Sequence, residues 1–160
     1  MPLNDDHLRA IGRIVVTFNY LEESAEFTIQ ALMGDSTPNI VWQALTVGES
    51  FDRLIFKIGV LARLRLPYPD LLADLERWIT EAKKVQEDRN RVLHSGWISW
   101  QDQEHAEDVA TALRQTSRDI FGQITDYTPR DLHAIADRIA EVEKSLRTLR
   151  RRMRDLPMRS

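Results

Sequence analysis

The segment that begins at Thr128 carries the most regular apolar pattern in the chain. Thr128, Pro129 and Asp131 are typical of a helix start, because threonine caps free N–H groups, proline fits the first turn and aspartate favours the positive end of the helix dipole. Such a long apolar seam must cover another apolar surface, so the sequence predicts a helix packed in a bundle, against a second subunit, or both. The seam, in steps of three and four, consists of Leu132, Ile135, Ile139, Val142, Leu146, Leu149, Met153 and Leu156.

The chain before position 94 shows the same helical period. Gly34 ends the first predicted helix, and the LPYP sequence at 66–69 ends another that begins near Ser50. The predicted helices cover about 5–33, 38–45, 50–65 and 70–93. The apolar stripe of the first helix consists of Leu8, Ile11, Val15, Phe18, Ala25, Ile29 and Leu32.

The pattern changes between 96 and 127, where β-branched residues alternate in VATALRQTS and IFGQITDYT. This alternation predicts two or three strands, although DVATALRQ fits a short helix equally well. Trp97 and Trp100 either stack on bases or pack the β element against the helices. The predicted fold class is therefore all-α: a single domain over 1–160, built as a bundle of four to five helices with a small β-hairpin or meander inserted before the last long helix.

Composition excludes several functional classes. The chain has no cysteine, which excludes disulfides and thiolate zinc sites and suits a cytoplasmic protein. It has no apolar run long enough to span a bilayer, and its polar, acidic start is unlike a signal peptide, so no membrane partner is expected. The sequence has neither a glycine-rich phosphate loop nor a metal-ligand spacing, so we expect no cofactor and no metal. His7 and His105 lie in polar stretches, so we expect them to be solvated.

The sequence EDRNRVLHSGW, at 87–97, places ionisable residues where the apolar stripe of the fourth helix should end. Arg89 continues that stripe, and Asn90 lies four residues before His94 and can orient its imidazole. In one helix Arg89 and His94 lie about 140° apart, so they converge best if the helix ends near His94 or if two copies meet. Ser95 can donate a hydrogen bond to a phosphate or help to end the helix, with Gly96 as the C-terminal cap.

Arginine and histidine together supply the minimum for cleaving a phosphodiester without a metal. Arginine presents a planar fork of donors that suits phosphate, and histidine exchanges protons near neutral pH. The two residue types also suit a helix C-terminus for a structural reason, because cations favour its negative pole. Residue types alone therefore leave both interpretations open.

The stretch Arg89-Asn90-x-x-x-His94 resembles the R-x(4–6)-H signature of the HEPN superfamily, in which a polar residue often follows the arginine. The form RNRVLHSGW is similar to that of small stand-alone bacterial HEPN-like proteins with a β-hairpin after the motif. This resemblance implies a homodimer whose two motifs share a cleft, and a metal-independent endoribonuclease of a toxin–antitoxin or defence system. It implies an RNA substrate, a cognate antitoxin, a catalytic pair in Arg89 and His94, and a supporting role for Asn90.

The alternative is a non-catalytic HEPN-like dimer that binds RNA or a protein partner. A third hypothesis is a structural module whose last helix binds another protein through its seam. Glu22 falls on the apolar stripe of the first helix, so we expect it either to pair with Arg89 or to reach water at the edge of the stripe. The basic helix end either contacts an RNA backbone or is simply solvated, and its arginines are Arg150, Arg151, Arg152 and Arg154.

Overall fold

The computed structural model of the protein describes residues 3–34, 36–101, 108–116 and 119–158. Within these residues the chain forms helices α1 Asp5–Met33, α2 Asn39–Thr46, α3 Phe51–Arg65, α4 Pro69–Leu93 and α5 Pro129–Arg154. Strands β1 Gly96–Gln101, β2 Asp108–Thr116 and β3 Asp119–Tyr127 lie between α4 and α5. The predicted fold class is confirmed, since the described chain is predominantly helical with a small antiparallel sheet before the last helix.

The chain divides into two compact units. We call the first the motif unit, which comprises Met1–Phe18 and Val85–Ile139, and the second the helical unit, which comprises Asn19–Lys84 and Ala140–Ser160. The boundaries fall inside the continuous helices α1, α4 and α5. A single domain over 1–160 therefore stays a prediction. Among the described residues, no helix has the length and apolar character needed to cross a membrane.

The glycine and proline residues that were predicted to end helices lie at the observed helix boundaries. Gly34 follows the last residue of α1 with a φ of 90°, a left-handed conformation that glycine adopts without strain, and its N–H donates to the carbonyl of Gln30. The LPYP sequence separates α3, which ends at Arg65, from α4, which begins at Pro69. Proline in this short segment stops one helix and fits the first turn of the next.

A capping box begins α5. The backbone N–H of Thr128 donates to Asp131 Oδ2 over 2.9 Å, and the backbone N–H of Asp131 lies 3.2 Å from Thr128 Oγ1. Each side chain thus satisfies an N–H group that the start of the helix would leave without a partner. The local sequence alone was sufficient to predict this start.

We expect Thr128→Ala to lower the free energy of unfolding by about 0.5–2 kcal/mol, because the cap of α5 is lost. Urea denaturation followed by circular dichroism measures the change. Thr148→Ala is the matched control, since Thr148 is an exposed residue inside α5 whose hydroxyl donates only to the carbonyl of Lys144. Alanine is the better helix former there, so a loss at position 148 as large as that at 128 would contradict the capping account.

The seam of α5 is largely buried within the chain itself. Leu132, Ile135 and Ile139 are buried in the motif unit, and Leu146, Leu149 and Met153 are buried in the helical unit. In the helical unit the indole N–H of Trp78 on α4 donates to the carbonyl of Val142 over 2.9 Å. Most of the seam is therefore not accessible to another protein, which weakens the hypothesis that the last helix binds a partner through it.

The predicted stripe of α1 is wrong near its start, where Leu8 is exposed and His7 is fully buried. The His7 ring nitrogens Nδ1 and Nε2 lie 2.7 Å from Asn4 Oδ1 and 3.2 Å from the carbonyl oxygen of Tyr127. These hydrogen bonds offset the cost of burying an imidazole, so His7 takes the place that an apolar residue was expected to fill. The prediction that His7 is solvated is therefore also wrong, and His105 lies outside the described residues.

The three strands form an antiparallel meander in the order β1-β2-β3. Trp97 lies opposite Ala112, and Ala112 lies opposite Thr125. Ala110 and Ala112 are both buried, which is the two-residue period of a sheet with one covered face. The segment DVATALRQ is thus a strand, and the helical alternative is wrong.

Candidate active site

Arg89 is the residue of the motif that the structure holds most firmly. Its guanidinium carbon lies 5.0 Å from the ring centroid of Phe18, which is buried in the same unit. Its Nη1 donates to Asn90 Oδ1 over 3.0 Å, and its Nε is buried without a hydrogen-bond partner among the described residues. A cation on an aromatic face contributes about 0.5–2 kcal/mol when partly desolvated. The ring and the amide therefore restrain the plane of the guanidinium.

Asn90 supports the arginine rather than the histidine in this structure. We expected Asn90 to orient the His94 imidazole, because the two positions share a helix face. The observed side-chain hydrogen bond instead runs to Arg89, the preceding residue. The backbone N–H of His94 donates to the carbonyl of Asn90 over 3.0 Å, which closes the last turn of the helix.

His94 is exposed and lies one residue beyond the end of α4. The Ser95 hydroxyl donates to the carbonyl of Arg91, so it satisfies a free carbonyl of the last helical turn, as the helix-ending alternative predicted. Gly96 was expected to be the C-terminal cap of the helix, and this prediction is wrong. Gly96 has no positive φ and begins β1, because the chain passes from the turn directly into the sheet.

A salt bridge that the sequence did not predict lies beside Arg89. Asp88 accepts a hydrogen bond from Arg138 Nη2 over 2.5 Å, and Arg91 Nη1 lies 4.0 Å from the other oxygen. Asp88 and Arg138 are 50 residues apart, and both belong to the motif unit. The carboxylate therefore joins α4 to α5 one residue before Arg89. No local pattern could have indicated this pairing.

Trp97 packs β1 against the end of α4. Its ring centroid lies 5.8 Å from that of Tyr127, and its indole N–H donates to the carbonyl of Val92 over 3.1 Å. The packing interpretation of Trp97 is confirmed. The Trp100 side chain lies outside the described part of the structure.

Glu22 is half-buried and belongs to the helical unit, whereas Arg89 belongs to the motif unit. The buried positions on either side of it are Leu21 and Ala25, so Glu22 lies at the edge of the apolar stripe rather than at its centre. Its pairing with Arg89 stays a prediction.

The four arginines at the basic end of α5, expected either to contact RNA or to be solvated, are not equivalent. Arg150 is half-buried, its Nη1 donates to the carbonyl of Ser24 over 3.0 Å, and its guanidinium carbon lies 5.6 Å from the Phe27 centroid. Arg152 donates to Asp74 Oδ2 over 2.6 Å. The side chains of Arg151 and Arg154 are exposed. Arg150 and Arg152 each use a terminal guanidinium nitrogen in these contacts and keep other donors, so RNA contact at this helix end stays a prediction.

We expect Asp74→Asn to lower the free energy of unfolding at neutral pH, with the loss vanishing in acid. Hydrogen bonds from Arg152 and then Arg77 hold the pKa of Asp74 below its usual 3.8. Because the pKa of Asp74 is lowered in the folded state, its carboxylate stabilises the folded protein at pH values above the ordinary pKa of 3.8. This stabilisation is lost as the pH falls through the lowered pKa. Urea midpoints of both proteins, from neutral pH to the acid limit of folding, measure the difference. A difference that does not change with pH would contradict a charge-based role.

The chain matches no protein-family model, no curated protein and no solved structure. Among the described residues, no group of three or more histidine, aspartate or glutamate side chains is arranged to hold a metal ion. The chemistry of the motif unit is therefore the basis for a proposed function.

Proposed function

We propose that the protein is a HEPN-like endoribonuclease that acts without a metal cofactor. Arg89 and His94 are its catalytic residues. Asn90 supports the guanidinium, and Ser95 helps to end the helix that carries Arg89 and Asn90. We also propose that the protein works in the cytoplasm, in a toxin–antitoxin or defence system, with a cognate antitoxin as partner.

The end of α4 at Leu93 is the observation that carries the proposal. In a continuous helix, His94 would lie about 140° around the axis from Arg89, and the two could not meet at one phosphate. The chain leaves the helix after Leu93, and His94 is exposed at this end, although its backbone N–H still closes the last helical turn. Its imidazole would meet the phosphate held by Arg89 either at this helix end or from a second copy of the chain. Arg89, in contrast, stays on the helix and is restrained by Phe18 and Asn90.

The proposed reaction uses the 2′-hydroxyl of RNA as the nucleophile. Its oxygen forms a bond to the adjacent phosphorus while the bond from phosphorus to the 5′-oxygen breaks. The proton of the 2′-hydroxyl passes to a base, and the departing 5′-oxygen receives a proton. His94 performs one of these transfers, and Arg89 donates to the phosphoryl oxygens as negative charge develops on them. The products are a 2′,3′-cyclic phosphate and a 5′-hydroxyl.

The test compares RNA with DNA of the same sequence. Purified protein is incubated with a mixed pool of each in EDTA, and the fragments are resolved on a denaturing gel. We expect RNA cleavage and intact DNA, because DNA lacks the nucleophile. Cleavage of both pools, or cleavage only after a divalent metal is added, would contradict the proposal. Binding of RNA without cleavage would favour the non-catalytic alternative.

We further propose that two copies of the chain share one cleft. Mixing separately inactive Arg89→Ala and His94→Ala proteins tests this arrangement, since exchange of subunits forms mixed dimers. If a phosphate is contacted by Arg89 of one copy and His94 of the other, a mixed dimer retains one intact pair, and activity returns in part. A mixture that stays inactive, although native mass spectrometry shows mixed dimers, would contradict a cleft built in this way.

A further inference from the structure

A cleft of about 400 Å³ opens on the helical unit, and none of its lining residues belongs to the motif. One wall is formed by α1 and the other by α5. The α1 wall carries two exposed aromatic rings, Tyr20 at 59% and Phe27 at 41% exposure. The lining residues are Tyr20, Glu23, Ser24, Phe27, Glu143, Arg147 and Arg150.

Two acidic side chains line the cleft: Glu143, which is paired, and Glu23, which is exposed. Glu143 Oε1 accepts a hydrogen bond from the hydroxyl of buried Ser24 over 2.5 Å, and Arg147 Nε lies 2.9 Å from the same oxygen in a salt bridge. Arg147 approaches Glu143 through its Nε, and a guanidinium has further N–H donors on its two terminal nitrogens. The cleft therefore offers arginine donors suited to an anion beside the paired carboxylate of Glu143, while the exposed carboxylate of Glu23 opposes an anion near it.

Arg150 lies near other arginines on α5. Its observed contacts are the carbonyl of Ser24 and the ring of Phe27. Burial is the main cause that lowers the pKa of the Arg150 guanidinium, and Arg154, Arg147 and Arg151 act in the same direction, against Glu143. The side chain stays charged at neutral pH. A bound anion would relieve this repulsion.

We infer that this cleft binds a nucleotide of single-stranded nucleic acid, with its base on the Tyr20 ring and its phosphate on Arg147 and Arg150. Every base has a flat aromatic face, so stacking tolerates any sequence, and arginines track the backbone. Phe27 contributes by holding the Arg150 guanidinium, while its own ring stacks with Trp42 at 6.3 Å and 9°. Such a site contacts the base and the phosphate of a strand and does not distinguish ribose from deoxyribose.

This inference rests on the proposed function for its choice of nucleic acid, and its test is separate from cleavage. A fluorescent oligothymidylate is the probe, because DNA has no 2′-hydroxyl and the proposed ribonuclease cannot cut it. Fluorescence anisotropy measures its affinity for the intact protein over a range of salt concentrations. We expect Tyr20→Ala to weaken binding roughly 5- to 100-fold, the usual range for loss of one stacking platform. Arg147→Gln should reduce the salt slope by about 0.7, the value for one single-strand phosphate contact.

Two residues on α3, Phe56 and Arg53, provide matched controls, since Phe56→Ala removes an exposed aromatic ring and Arg53→Gln removes an exposed arginine outside the cleft. Both should leave affinity unchanged. Equal weakening by all four substitutions, or no binding of the oligonucleotide by the wild type, would overturn the inference. If the wild-type protein bound oligothymidylate as expected but did not cleave RNA, the proposed function would be contradicted and the inferred binding site would not.

Discussion

His94→Ala should lower the rate of RNA cleavage by about 10²–10⁴-fold, the usual contribution of a positioned proton-transfer group. His94 is exposed just beyond α4, so its removal should change the free energy of unfolding by no more than about 0.5 kcal/mol. The measurement is the initial rate of fluorescent RNA cleavage in EDTA, beside a urea denaturation curve of each protein. Loss of activity without loss of stability would separate a chemical role from a structural one.

His133→Ala is the matched control for this experiment. His133 is a half-buried histidine of α5 in the same unit, and it is not part of the motif. Activity should survive this change in the folded protein. If His94→Ala retained the wild-type rate, or if His133→Ala lost as much activity while still folded, His94 would not be the proton-transfer group.

Phe51→Ala should lower the free energy of unfolding by about 3–5 kcal/mol, the usual cost of removing a buried aromatic ring. Phe51 begins α3 and is 3% exposed, whereas Phe56, five residues later in the same helix, is 70% exposed. Phe56→Ala should change the free energy by no more than about 0.5 kcal/mol. The same substitution thus tests which face of α3 is covered.

Chemical denaturation of the wild type and both variants measures this difference. A marginal domain can lose most of its folded population through a change of the size expected at Phe51. If Phe51→Ala fails to express, Phe51→Leu is a smaller truncation that keeps an apolar side chain. Phe51→Leu should still lower the free energy of unfolding more than Phe56→Ala does. Equal losses at positions 51 and 56 would mean that the exposed face of α3 is covered in solution, and would contradict its exposure in the monomer.

The helices could be predicted because their signals are local. Gly34, the LPYP sequence and the Thr128 cap each determine a boundary through the backbone conformation of a few residues. The buried face of α1 could not be predicted in full, because His7 is buried through a hydrogen bond to the carbonyl of Tyr127, 120 residues away. Side-chain hydropathy carries no information about a partner at that distance.

The candidate site shows the same limit. The motif identified Arg89, Asn90 and His94 as candidates, and the apolar stripe of α4 predicted that Arg89 faces the core or an interface. Phe18 as the ring beneath Arg89, and Arg138 as the partner of Asp88, depend on tertiary packing and have no signal in the motif. The cleft beside Tyr20 was missed for the same reason, since its walls come from α1 and α5.

The structure of the product ends tests the central claim most directly. RNA fragments produced by the wild-type protein in EDTA should be analysed by mass spectrometry, with the His94→Ala protein as the background control. The proposed attack by the 2′-hydroxyl predicts 2′,3′-cyclic phosphates on one side of each cut and 5′-hydroxyls on the other. Fragments with 3′-hydroxyl and 5′-phosphate ends would mean that water is the nucleophile, and would contradict the account.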